Sequence, residues 1–290
     1  MERLLIVAAL TAVIHFVNTL IYAVRVAGVR TGRLATAYSL FNVVFLLAST
    51  ANSFQGFLLA SIVESAIREG QLQAGAAALG SELVAHPAYQ QQLAQLDLQV
   101  RLVLGAATAG TAAGAVLIPS FVHVFVRAIM LFEEIGSVPR LLGLVLISPR
   151  RAARLAGLLY LPKKKSFSLA AVSSRPLPKA FLFLNLLVTG IYTTGVLSSL
   201  YAGALFPDYR TTAASLSAVV NGIATVLAAT VVDPAAAAIT DQALRGERCE
   251  GDVKQMALYL TATRLAGTLL AQFFFVPAAH LVKMAARLLA

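Results

Sequence analysis

Six apolar stretches run through the 290 residues of this chain, at roughly 4–26, 34–62, 102–131, 180–206, 213–232 and 256–282. Each reaches the length of about 17–25 residues that a helix needs to cross a bilayer. A core in water has no use for runs this long, and within lipid an isolated segment satisfies its own backbone only as a helix. Only 12% of the residues are charged, against about a quarter in a soluble domain. The sequence therefore predicts an all-α polytopic membrane protein, about six transmembrane helices in a single transmembrane domain over residues 1–290. Met1-Glu2-Arg3 is a poor leader n-region and the apolar run continues to Val26, so the start is expected to be a retained first span.

Polar groups interrupt these spans at helical spacing. His15, Asn18, Tyr22 and Arg25 follow one another by three, four and three residues, which sets all four on one face of the first span. The second span carries Ser39, Asn42, Ser49, Ser53, Ser61 and Glu64 within an arc of about 120°. The third ends with Ser120, His123 and Arg127, and has Arg101 at its other mouth. The fifth supplies Asn221, Thr225 and Asp233, and the sixth Thr261, Arg264, Thr268 and Gln272.

Each group has two accounts. Hydroxyls and amides hold helices together in membranes, His15 suits an interhelical hydrogen bond, and Arg25 and Arg101 are near enough to span ends to snorkel to the headgroups. Glu64 is placed to pair with Arg127 or Arg264 in a structural salt bridge. Taken together, however, arginines outnumber acids on these faces, and guanidinium groups hold phosphate bidentately. The stripes predict a wet groove for an anionic, lipid-like ligand.

Net charge is +10 and unevenly spread. Fifteen Lys/Arg fall on one side, from Arg25, Arg30 and Arg33, through the central connection, to Arg245, Arg248 and Lys254. By the positive-inside rule that side is cytoplasmic and both termini are extracytoplasmic. Within the central connection, residues 132–179, Ser148–Leu161 is expected to form a basic amphipathic helix on the inner leaflet, attracted to anionic lipids. A topology anchor without a substrate role is the alternative. The other long connection, about Arg68–Asp97, is expected to prolong spans two and three as helices meeting near His86-Pro87.

Thr19-Leu20-Ile21-Tyr22 in span one is echoed by Thr189-Gly190-Ile191-Tyr192 in span four. The echo suggests a 3+3 repeat, inverted because each copy holds an odd number of spans. Chance similarity between two apolar segments is the alternative.

Catalytic patterns are missing: no H-E-x-x-H, no G-x-S-x-G, no P-loop. Cys249 is the only cysteine, so no intrachain disulfide forms, and no His/Cys/carboxylate cluster has metal-ligand spacing. No cofactor, no metal, no nucleic-acid partner and no enzymatic activity are expected.

The run Ile14-His15, Thr19–Ala37 and Ser39–Asn42, with Tyr22, Arg25, Arg30 and Arg33 in fixed register, resembles the opening of the Amj family of bacterial lipid II flippases. Thr50-Ala51-Asn52 with Gln55, and Glu64, continue the likeness. What the resemblance implies is translocation of the undecaprenyl-diphosphate-linked disaccharide-pentapeptide (lipid II) between leaflets of the bacterial cytoplasmic membrane, for peptidoglycan synthesis. The expected substrate path then takes in His15, Asn18, Tyr22, Arg25, Arg30, Arg33, Asn42, Asn52, Glu64, His123, Arg127 and Arg264. A membrane-embedded enzyme of polyprenyl-phosphate metabolism, or a transporter for another anionic lipid or solute, is the competing expectation.

Overall fold

The first span is not one helix but two. In the computed structural model, which describes residues 1–75, 80–137 and 175–289 and the isolated positions 140, 143 and 157, α1 (Glu2–Thr19) and α2 (Ile21–Thr31) meet at Leu20. The Thr19 hydroxyl donates to the His15 carbonyl at 2.7 Å, and the Leu20 N–H reaches only three residues back, to Val17. Hydroxyl back-bonding of this kind bends helices. Apolarity gives no hint of the break, because Leu20 itself is apolar and 2% exposed.

Gly32, at φ 67° in the left-handed region that favours glycine, ends α2 and turns the chain into α3 (Leu34–Ala74). A short helix, α4 (Gly80–Ala85), leads to α5 (Pro87–Ile135), whose first turn holds Pro87 and is capped by His86 Nδ1 accepting from the Ala88 N–H. Span three therefore does begin at Pro87, but span two's helix ends at Ala74, short of the expected meeting point, and the separate helix α4 stands before His86 in its place. After the central connection come α6 (Lys179–Leu205), a 3₁₀ turn, α7 (Arg210–Leu227), a π turn at Ala228–Val232, α8 (Asp233–Leu244) and α9 (Glu250–Leu289). Six helical segments are long and apolar enough to cross a membrane, and among the described residues all regular structure is helical. Most of them overrun the apolar stretches read from the sequence, since polar turns extend them at both ends. Ser148–Leu161 lies outside the described residues, apart from Gly157.

Glycine sets the closest helix contacts. A Cβ on Gly110 would run into the Ala12 carbonyl, and one on Gly114 would lie 2.8 Å from Thr19 Cβ. These two positions, four apart, bring α5 backbone to backbone with α1. In the second half a Cβ on Gly267 would sit 2.6 Å from the Leu186 carbonyl oxygen, so α9 lies equally tight on α6. Span one packs on spans two and three, and span four on spans five and six, with the same order of intimacy in both halves.

The bundle has two distinct ends. Arg3 meets Ser61 near one, where Arg287 also stacks over Phe206; both termini lie there. At the other, Arg30 meets Glu250 and Arg33 meets Glu133. Three sequence expectations are corrected. Arg25 does not snorkel: it is 7% exposed, because α2 is enclosed by α3, α5 and α9. Arg101 is held by Asp97 at 2.7 Å and by the Gln272 carbonyl at 2.9 Å rather than by headgroups. Glu64 pairs with Arg210, not with Arg127 or Arg264, because α3 carries it to the end where α7 begins.

Candidate functional site

The buried part of the predicted stripe lies along the seam between the two halves. Tyr22 donates to Asn185 Oδ1 at 3.5 Å, and Asn185 Nδ2 donates in turn to the Leu260 carbonyl (3.0 Å) and Thr263 Oγ1 (2.8 Å). One asparagine thus joins α2, α6 and α9. Above it, His15 faces Thr111 of α5 across 3.5 Å. Arg264 Nε is buried with no partner among the described residues. Asn18 is half-buried on the same run of α1.

Arg25 is the most unusual group in this layer. Its Nη2 reaches Asp233 Oδ1 at 3.4 Å, and the guanidinium lies 5.7 Å from the centre of the Tyr38 ring. Nε and Nη1 are buried and donate to nothing among the described residues. Buried donors are nearly always paired, so two idle ones on a cation call for an explanation. Asp233 stands directly after the π turn, a local widening that recurs at functional sites. Its own side chain is 64% exposed, so the acid sits at the edge of the layer while the arginine sits inside it.

Arg30 and Arg33 continue the run but are engaged. Arg30 contacts Glu250 at 2.7 Å, an acid that also holds Lys254 at 2.8 Å, and Arg33 contacts Glu133 at 2.6 Å. The first pair ties α2 to α9 and the second ties the α2–α3 turn to α5, so both bridge helices at the end of the bundle that Arg25 approaches from within.

The remaining predicted residues are not gathered into this layer. Asn42, Asn52 and Glu64 are exposed on α3, and His123 and Arg127 are exposed on α5. His123 Nδ1 lies 2.8 Å from the Pro119 carbonyl oxygen, a contact within its own helix. The face of α3 that bears Ser39, Asn42, Ser49 and Ser53 is open along much of its length. Among the described residues no three His, Cys, Asp or Glu converge for a metal.

Sequence reasoning passed over Asn185. The available signal was a single amide inside Leu182-Phe183-Leu184-Asn185-Leu186-Leu187-Val188, since a lone polar group in an apolar span is costly unless paired.

The Amj family, described as Alternate to MurJ, matches residues 10–286, which take in every group of this layer. The chain belongs to the Amj family. A relative from Bacillus subtilis (strain 168), named Lipid II flippase Amj, is 33% identical over 284 residues, 97% of this chain and 95% of that protein. No solved structure matches. For an Amj chain the arrangement offers three chemical capabilities. It has a buried cation with free donors, an amide–hydroxyl relay joining three helices, and ion pairs that bridge helices at one end. None of these is a nucleophile or an acid–base pair.

Proposed function

We propose that this chain is a lipid II flippase, carrying the undecaprenyl-diphosphate-linked precursor from the inner to the outer leaflet of the bacterial cytoplasmic membrane by alternating access. The observation that carries the reading is Arg25, 7% exposed, with two donor nitrogens, Nε and Nη1, idle. A diphosphate brings the acceptors that those donors lack, and charge-assisted bonds of this kind are the strong ones. A diphosphate with sugars cannot cross hydrocarbon alone, because its charge and polar groups lose their water. The polar layer and the open polar face of α3 supply substitutes for the head, while the polyprenyl tail stays in lipid.

In this reading Arg25, Arg30 and Arg33 take the diphosphate at the cytoplasmic mouth, Arg30 and Arg33 by exchanging Glu250 and Glu133 for phosphate oxygens. His15, Asn18, Tyr22, Asn42, Asn52, Glu64, His123, Arg127 and Arg264 line the path. The seam between the halves is crossed by Arg25–Asp233, Arg30–Glu250 and Tyr22–Asn185, polar links that a charged ligand can replace one by one. Rocking of one half on the other around them is the alternating-access motion of repeat-built transporters, and the matching pairing in the two halves supports the 3+3 repeat. The termini then lie outside the cytoplasm, and the basic central connection meets anionic lipids on the inner leaflet. An inside-negative potential favours outward movement of anions by about 2.3 kcal/mol per charge per 100 mV. No coupled ion is therefore required.

Complementation tests this. The chain expressed in a bacterium depleted of its own lipid II flippases is expected to restore growth, and failure of a well-expressed chain to do so refutes the reading. Transport rather than catalysis is expected throughout: purified protein releases no phosphate from undecaprenyl diphosphate.

A further inference from the structure

At the end of the bundle that holds the termini, far along α3 from Arg33, a cavity of about 660 Å³ opens between α1, α3 and α7. Three arginines from three helices line it: Arg3, Arg68 and Arg210. Their compensation is thin. Arg210 reaches Glu64 only at 3.6 Å, with both side chains about half exposed or more. Arg3 donates to a neutral group, Ser61 Oγ, at 3.1 Å. Arg68 has no ion-pair partner among the described residues. Within this first cavity three cations share a single carboxylate, Glu64, and repel one another, and a ligand with more than one negative charge relieves that repulsion.

A second cavity of about 460 Å³ adjoins the first and shares Arg3 and Ser65 with it. Its polar lining is Gln92, Gln95 and Gln99, on one face of α5, together with the acids Glu2 and Glu69, which leave the diphosphate to the first cavity. Each amide both donates and accepts, the requirement for binding hydroxyl- and amide-bearing groups that carry no charge. The exposed polar face of α3, from Ser39 through Asn42, Ser49 and Ser53, leads from the Arg33 end to this one.

We infer that these joined cavities form a second binding site, with the arginine side taking the diphosphate of a lipid-linked head group and the glutamine side taking the uncharged polar groups attached to it. The inference rests on the flippase reading for its place in the cycle, as the site from which the head group leaves. Glu64 is then the competitor that empties the site, since its carboxylate and the diphosphate seek the same Arg210.

The test is a calorimetric titration of inorganic pyrophosphate into the purified chain in zwitterionic nanodiscs, repeated with undecaprenyl diphosphate incorporated in the disc. Wild type is expected to bind pyrophosphate and to lose that signal when the lipid is present. Arg68→Ala is expected to weaken binding about tenfold or more, the loss of one charge-assisted contact, while Arg68→Lys keeps most of the affinity. Glu64→Gln is expected to tighten binding about twofold to fivefold, the release of an exposed ion pair. A gain of affinity cannot come from misfolding, so this variant guards against a trivial loss. Absence of pyrophosphate binding, indifference to Arg68→Ala, or weaker binding in Glu64→Gln overturns the site. Pyrophosphate that the lipid does not displace marks a free-anion site and overturns the head-group assignment. Flipping measured on the same preparation separates the two proposals: flipping without pyrophosphate binding removes the second site alone, and binding without flipping removes the flippase reading alone.

Discussion

Replacing Arg25 by Met is expected to abolish transport while leaving the fold intact. In the folded chain Nε and Nη1 are buried and unpaired, and each such donor costs about 1–3 kcal/mol. Methionine removes both penalties and fills much the same volume. What it gives up is the 3.4 Å contact to Asp233 and the packing of the guanidinium over Tyr38. These are worth about 1.5–3 kcal/mol for a charge-assisted bond and about 0.5–2 kcal/mol for a cation over a ring. Asp233 is 64% exposed and the contact is long, which places the first figure at its lower end. Gains and losses nearly cancel, in line with buried charges being replaceable by apolar groups at little cost. Thermal unfolding of Arg25→Met in detergent should therefore fall within about 5 °C of wild type. Transport has no such cancellation. Two idle donors that would meet phosphate oxygens are lost, about 3–6 kcal/mol in all, or a factor of about 10² to 10⁴ in rate. The assay is a leaflet-accessibility measurement on fluorescent lipid II in proteoliposomes, beside a melting curve on the same preparation. Wild-type flipping by a folded Arg25→Met protein refutes the capture role. A melting temperature far below wild type refutes the view that the arginine is kept for its ligand rather than for the fold.

Further outcomes follow from other parts of the structure. Cys249, the only cysteine and exposed beside Glu250, should react with an impermeant maleimide from the cytoplasmic side alone; labelling from outside reverses the topology. Gly110→Ala should destabilise by about 1–3 kcal/mol through overpacking against the Ala12 carbonyl, whereas Gly105→Ala, which meets open space, should not; melting curves of the pair decide. Glu250→Gln removes the acid shared by Arg30 and Lys254 at about one-third exposure, so stability should change by less than about 1 kcal/mol while initial binding of the lipid strengthens; unchanged binding argues against Arg30 in capture. Asn185→Leu strands the Tyr22 hydroxyl and should cost about 1–3 kcal/mol of stability, read by unfolding.

The spans and the stripe were legible because each rests on a one-dimensional rule: apolar length for crossing lipid, and a 3.6-residue period for sharing a face. His15, Tyr22 and Arg25 accordingly do share the inward side of the first span, where Tyr22 and Arg25 reach Asn185 and Asp233 across the seam. What a period cannot convey is which face a neighbouring helix covers. Arg25 looked near enough to a span end to reach water, yet α3, α5 and α9 enclose it. Asn42 lies in equally apolar surroundings in the sequence, yet its helix face is open. Partnerships between distant segments, Glu64 with Arg210 and Arg25 with Asp233, depend on where helix ends fall in three dimensions, and the break at Leu20 falls within an unbroken apolar run that no hydropathy pattern divides.

The glycine contacts of α5 on α1 and of α9 on α6 bear on how so small a bundle would handle the bulky cargo proposed for it. Where backbones already touch, there is no slack for the two helices to slide or part, so each pair behaves as a plank. A central pore wide enough for a disaccharide-pentapeptide would have to split the planks, and nothing in their contact yields gradually. The proposed rocking motion, tilting one plank against the other, would leave both intact and open a slot on the flank, with the cargo never fully enclosed. Size then ceases to be the limit on what is carried: a cargo with a larger peptide would hang further out into the water, and the protein would need to recognise only the part nearest the lipid.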